Sequence, residues 1–202
     1  MLEEEGLLDS IRRISGEVSE RSRFEADIWK KFGRRCAMLV LDSSGFTRNT
    51  QESGILSYLA CIVRLRDMMG PILTRFDCVL WRAATDNVFA EFETANGALA
   101  AALEIQRSVI AANIQIQNSV KLGVCIGIGF GDVLRSRSEG VFGNEMNLAS
   151  KLGEDLAGNG EILLTESAYQ EISEDLRRNI IRQRTAISGV ELSYYIIRGA
   201  GI

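Results

Sequence analysis

Two hydrophobic rhythms alternate along the chain. From residue 6 to 32 the spacing predicts helix, with Leu7, Leu8, Ile11, Ile14 and Val18 on one face and Phe24, Ile28, Trp29 and Phe32 following. The first stripe has the 4-3-4 spacing of a short coiled-coil seam and breaks at Ser19 to Arg23, which predicts a packing arm or a dimer contact. From Cys36 the pattern predicts β (36–42), α (51–70), β (77–83), β (87–92), α (95–113) and β (121–130). The order β-α-β-β-α-β is that of a ferredoxin-like split unit, a sheet with two helices on one face. In its last strand Leu122, Val124, Ile126, Ile128 and Phe130 alternate with Gly123, Cys125, Gly127 and Gly129. One face fills a core and the other is almost bare, so a partner subunit or a ligand is expected to pack closely against it.

Beyond that strand the pattern predicts a short strand near 132–136, a loop at Ser138-Glu139-Gly140, a helix over 144–156, a strand over 161–164 and a helix over 166–172. Two strands, 179–186 and 191–198, close the chain as a hairpin around Ser188-Gly189. The single proline, Pro71, falls just past the first core helix and is expected to mark its end. The fold class is therefore α+β: a βαββαβ core over a C-terminal αβαββ extension, with a helical arm (1–33) preceding one domain (34–202).

Composition narrows the chemistry. A chain of 202 residues with 46% hydrophobic content can bury one full core. A net charge of −4 argues against a nucleic-acid backbone or an anionic membrane as the main partner, because either needs a concentrated basic face. Cys36, Cys61, Cys78 and Cys125 are widely spaced within apolar or mixed runs, the pattern of reduced, buried thiols. No apolar run approaches the roughly 18–20 residues of a membrane span, and the acidic start Met1-Leu2-Glu3-Glu4-Glu5 lacks the basic region of a signal peptide, so a cytoplasmic location is expected. Histidine is absent, which removes Ser-His-Asp and Cys-His sites and weighs against zinc. Chemistry must rest on carboxylates, metals, Lys/Arg and amides.

Two constellations meet that requirement. Leu39-Val40-Leu41 delivers Asp42 into the small-residue turn Ser43-Ser44-Gly45, and Asp86 sits at the turn between two apolar runs. Two aspartates at strand ends can share a pair of divalent cations, although Asp-Ser-Ser-Gly and Asp-Asn also form turns without any metal. On the helix from Asn144, Asn147 and Lys151 stand four apart and share a face. The plainer alternative there is that Lys151 pairs with Asp155 and Asn144 caps the helix.

The segments Leu41-Asp42-Ser43-Ser44-Gly45-Phe46-Thr47, Thr85-Asp86-Asn87, Asn147-Leu148-Ala149-Ser150-Lys151-Leu152 and Gly160-Glu161-Ile162-Leu163-Leu164-Thr165, in this order, resemble the class III adenylate/guanylate cyclase homology domain over about 36–198. The resemblance implies a nucleotidyl cyclase core acting as a head-to-tail homodimer with composite sites, which would explain the bare strand face. It implies two Mg²⁺ or Mn²⁺ ions on Asp42 and Asp86, with a ligand from the Ser43 carbonyl. Backbone N–H groups of Gly45, Phe46 and Thr47 would hold the β- and γ-phosphates of a nucleoside triphosphate, with ATP the first expectation. Asn147 of the other protomer would orient the ribose, and its Lys151 would face the α-phosphate.

Four positions depart from the family pattern. Arg82 stands where a lysine usually reads adenine, and its usual Asp or Thr partner aligns with Gly140, although Glu139 is adjacent. Lys151 replaces the arginine that stabilises the transition state, and Ser188 replaces a phosphate-binding lysine. These changes point to a slow enzyme. The alternative is a cyclase-like dimerisation or nucleotide-binding module without catalysis, with the N-terminal arm available to a regulatory partner. A diguanylate cyclase is disfavoured, because Ala84-Thr85-Asp86-Asn87 stands where its Gly-Gly-Asp/Glu-Glu-Phe turn would be.

Overall fold

A strand buried on both faces organises the molecule. In the computed structural model, which describes residues 6–12, 18–45, 50–52, 54–117, 120–136, 139–177, 180–187 and 190–198, helices α1 (Leu7–Ile11) and α2 (Val18–Phe32) lead directly into β1 (Gly33–Ser43). Ala37, Leu39 and Leu41 point into one apolar core and Cys36, Met38 and Val40 into another. The unbroken apolar run of β1 is the signature of such two-sided burial. After it come α3 (Ile55–Arg75), β2 (Leu80–Ala84), β3 (Asn87–Phe92), α4 (Ala95–Ala112), a small ribbon of β4 (Gln115–Gln117) and β5 (Val120–Lys121), and β6 (Val124–Ser136). The remainder is β7 (Gly140–Phe142), α5 (Asn144–Ser150) with a π-helical continuation (Lys151–Leu156), β8 (Glu161–Thr165), α6 (Glu166–Glu171), β9 (Ile180–Ile187) and β10 (Val190–Arg198).

The main sheet runs β2-β3-β1-β6-β8-β10-β9, with β7 paired to β6. Its first four strands have the ferredoxin-like order expected of βαββαβ, and the extension continues the sheet through the parallel β6–β8 pair. On one face α3 contributes Tyr58, Ile62, Leu65, Met69 and Leu73, at helical spacing, while the alanines of α4 let that helix lie close. Helix α5 and its π-helical continuation cover the other face. Burial pushes the Cys36 thiol up to about 12 and the Cys125 thiol to about 11, as expected of reduced interior cysteines. Among the described residues no helix is long and apolar enough to cross a membrane.

Three expectations need correction. The bare face of the glycine strand does not await a partner: the chain's own helix fills it. A Cβ on Gly127 would collide with the Ala149 carbonyl, one on Gly153 would lie 2.7 Å from the Val40 carbonyl, and one on Gly129 2.6 Å from the Glu145 carbonyl. Helix backbone lies directly on strand backbone here, and the switch from α to π begins at Lys151, beside the closest approach. Glu145 fastens the start of the same helix, accepting from the Phe130 N–H at 3.2 Å and the Thr165 hydroxyl at 2.8 Å.

The strands expected at 121–130 and 132–136 are one strand, Val124–Ser136, paired with β1 along the whole of β1. Gly131 and Asp132 do not break it because Gly131 stays in register with Cys36, beneath Glu145. Pro71 lies inside α3 rather than beyond it. The lost backbone bond is offset by Met69 and Leu73, both fully buried on either side of the proline. The helical stretch expected over 6–32 holds as α1 and α2, with 13–17 outside the described residues. Leu7 and Ile28 are buried, and both helices lie along β6, with α2 also on β1.

Candidate functional site

Sheet register brings the two aspartates together. Residues of β1 and β3 pair so that Leu41 faces Val88, and continuing two steps sets Ser43 opposite Asp86 and Asp42 opposite Asn87. Asp86 occupies the tight turn between Ala84 and Asn87. The turn's other residue, Thr85, adopts a left-handed conformation at φ 54°, which a β-branched residue holds only under constraint. Arg66 of α3 supplies one, donating from Nη2 to the Thr85 carbonyl.

Ser43 Oγ donates to Asp86 Oδ2 at 2.8 Å and also bonds the hydroxyl of Tyr58, a fully buried residue of α3. Asp42 is half-buried and its carboxyl is pushed up to about 6, first by burial and then by the Asp86 carboxylate, with Glu154 adding repulsion. Burial likewise moves the Tyr58 phenol up to about 12.

Among the described residues no group of three or more His, Cys, Asp or Glu side chains is arranged to hold a metal ion. What the corner offers is two mutually repelling carboxylates and, across from Asp42, the Asn87 Oδ1, buried without a hydrogen-bond partner among the described residues. Hard oxygen donors of this kind suit Mg²⁺, which ordinarily takes one or two carboxylates and completes its shell with water and substrate phosphate. The residues present fit such an ion. Gly45, at φ 81°, supplies the left-handed turn residue that follows; Phe46 and Thr47, the other expected phosphate-binding positions, lie outside the described residues, as does Ser188.

Arg82 and Gly140 meet, as their alignment suggested, but by exclusion. The Arg82 guanidinium occupies the space a Gly140 side chain would need, donates from Nη1 to the Glu139 carbonyl at 3.1 Å and lies 5.5 Å from the centroid of the Phe89 ring. It is thus the backbone of Glu139, rather than its carboxylate, that engages Arg82. Arg82 and Gly140 border a small cleft of about 50 Å³ whose wall includes Trp81, Phe89 and a Glu91–Arg135 pair, bidentate, with Nε to Oε2 at 2.9 Å. Sequence reasoning missed that pair and Tyr58. A signal for Glu91 existed: a carboxylate inside the apolar run Val88–Phe92, at the parity that faces away from the α3–α4 core.

Asn147 is exposed on α5, and Lys151 is partly buried where the π-helix begins. The Lys151 N–H donates to the Asn147 carbonyl, so the expected i, i+4 relation holds. The simpler local roles do not: Gly143 is the N-cap instead of Asn144, and among the described residues Lys151 makes no ion pair with Asp155. Neither Asn147 nor Lys151 bonds Asp42 or Asp86 within the described residues.

No family model matches the chain. A protein of Rhizobium meliloti (strain 1021) named "Putative adenylate cyclase 3" is 22% identical over 165 residues, 82% of this chain, and the match spans only 26% of that protein's length. Among solved structures, the guanylyl cyclase Cya2 superposes with a TM-score of 0.72 at 20% identity, covering 84% of this chain and 94% of that one. The catalytic core of a rhodopsin-guanylyl cyclase with converted specificity, in complex with ATPαS, gives 0.68 at 16% identity, covering 83% and 98%. With strand order and superposition in agreement, the chain has the fold of the class III adenylate/guanylate cyclase catalytic domain.

Proposed function

We propose that the chain is a nucleotidyl cyclase that converts a nucleoside triphosphate, with ATP the first expectation, to a 3′,5′-cyclic nucleotide and pyrophosphate. The observation that carries this reading is the Asp42–Asp86 corner, two carboxylates brought together where burial first and the Asp86 carboxylate second push Asp42 up to about 6, with no basic side chain among the causes. The naming of the similar proteins as adenylate and guanylyl cyclases, one holding ATPαS, supports the reaction class.

Asp42, Asp86 and the Ser43 carbonyl would hold two Mg²⁺ or Mn²⁺ ions. When bound, such ions lower the pKa of the attacking 3′-hydroxyl and neutralise the leaving pyrophosphate. N–H groups of Gly45, Phe46 and Thr47 bind the β- and γ-phosphates, and Asn147 and Lys151 of a second copy orient the ribose and face the α-phosphate. Arg82 and Glu139 border the base, where a donor-only guanidinium meets ring nitrogens or a keto oxygen. Residues 1–33 form the arm open to a regulatory partner and 34–202 the catalytic domain.

Incubating the protein with Mn²⁺ and each of ATP, GTP, CTP and UTP tests the reading. A cyclic product that vanishes in Asp42→Ala is expected; no product from any of the four overturns it. The substitution of Lys151 for arginine favours one rival, a module that binds nucleotide without turnover. Calorimetry showing metal-dependent nucleotide binding, with no pyrophosphate released, would establish that rival instead.

A further inference from the structure

A buried hydroxyl chain lies behind the aspartate corner. Tyr58, in the first turn of α3, has its ring wholly enclosed, and a tyrosine so placed needs a partner for its hydroxyl. One partner is Ser43 Oγ, itself 1% exposed, which reaches Asp86 Oδ2 at 2.8 Å. The direction follows from proton counting. Ser43 has one hydroxyl proton and donates it to Asp86 Oδ2, so the contact between the two hydroxyls requires Tyr58 to donate. The sequence Tyr58 to Ser43 to Asp86 therefore runs one way, from helix to strand to turn.

We propose that Tyr58 is a positioning residue for the cation site: acting through Ser43, it fixes Oδ2 of Asp86 and so sets the orientation in which the remaining carboxylate lone pairs meet a divalent ion. The inference rests on the reading that Asp42 and Asp86 bind such ions. Two features set this chain of bonds apart from ordinary satisfaction of a core tyrosine. It ends on a carboxylate at the turn instead of a backbone carbonyl, and that turn is otherwise held by a left-handed threonine and one arginine contact. Groups that orient metal ligands in this way typically change metal affinity by roughly 10- to 100-fold when removed.

The test is Mn²⁺ binding, followed by electron paramagnetic resonance of the free ion, in the full chain without nucleotide. Tyr58→Phe keeps the ring and removes only the donor, and it should weaken Mn²⁺ binding about tenfold. Ser43→Ala severs the same chain at its centre and should weaken binding at least as much, while the double variant should be no weaker than Ser43→Ala, since both changes break one path. In turnover, Tyr58→Phe should raise the Mn²⁺ concentration for half-maximal rate and leave the rate at saturating Mn²⁺ unchanged. Asp42→Ala and Asp86→Ala are the controls. If they abolish Mn²⁺ binding and Tyr58→Phe binds as the unsubstituted protein does, the positioning role is overturned and the metal site stands. If neither aspartate variant alters binding, the metal reading itself fails and takes this inference with it.

Discussion

The two candidate sites on the β2–β3 hairpin, at Arg82 and Asp86, lie four residues apart and are built on opposite principles. At its tip, Asp86 and the facing Asp42 form a corner with negative charge in excess, where each neighbour (Ser43, Tyr58, Arg66) fixes geometry without placing a cation between the carboxylates. Along its strand, Arg82 sits in a cleft that is already satisfied: its guanidinium bonds a carbonyl, lies over a ring and fills the place of a missing side chain. A corner left unbalanced is suited to recruit an ion. A cleft that balances itself can discriminate only through the donors it has left over.

The sharpest way to break this contrast is to compare Asp42→Ala with Arg82→Ala. The first should lower cyclisation by about 10³-fold or more, the several kcal/mol that bound divalent ions contribute, whereas the second should change the ratio of rates with ATP and GTP by about tenfold and leave Mn²⁺ binding intact. Equal losses in both would show that corner and cleft act as one unit. Next in size, Lys151→Arg restores a planar, multidentate donor toward the α-phosphate and should raise turnover about tenfold without moving KM for nucleotide; an unchanged rate would remove Lys151 from the transition state.

Gly140→Asp should cost about 1–3 kcal/mol in chemical denaturation, because its Cβ meets the Arg82 guanidinium and its backbone lies at φ 103°. Adding Arg82→Ala should recover part of that loss; none recovered would mean the two positions are independent.

The smallest expected effect is on pH dependence. Asp42 has a folded pKa of about 6 against an ordinary 3.8, so the native state holds its proton more tightly than the unfolded chain does. Its contribution to stability is complete below pH 3.8 and is lost as pH rises through about 6. Asp86 and Glu154 face it, and Glu154 is itself raised by burial, so it acts in the same direction. In chelator, urea midpoints should fall between these pH values, and Asp42→Asn should flatten that slope. A slope unchanged in Asp42→Asn would place the titration elsewhere.

Much of this was legible from residue order, and what was not has identifiable causes. Strand parity and a two-residue turn suffice to bring Asp42 and Asp86 to one corner, because antiparallel register propagates over short distances. The glycine face of β6 was legible as a close contact but not as to what makes it, since the covering helix begins some way downstream and no local period links Gly127 to Gly153. Pro71 was read by its usual preference, which core burial on both sides overrode. Tyr58 was hidden by its own stripe: at helical spacing with Ile62, Leu65 and Met69 it reads as core, and only the meeting of Ser43 with Asp86 gives its hydroxyl a purpose.

The contact of Gly127 with Gly153 has a mechanical consequence. At Gly127, Gly129 and Gly153 helix backbone lies directly on strand backbone, and Met146, Ala149 and Leu152 are buried beside these contacts, so the helix bearing Asn147 and Lys151 is held tightly to the sheet that bears Asp42. In the proposed dimer, movement of one subunit against the other would change the gap between Lys151 of one copy and the aspartates of the other. Helix α2 passes into β1 without an intervening loop, so a rotation of α2 would be carried directly into the sheet.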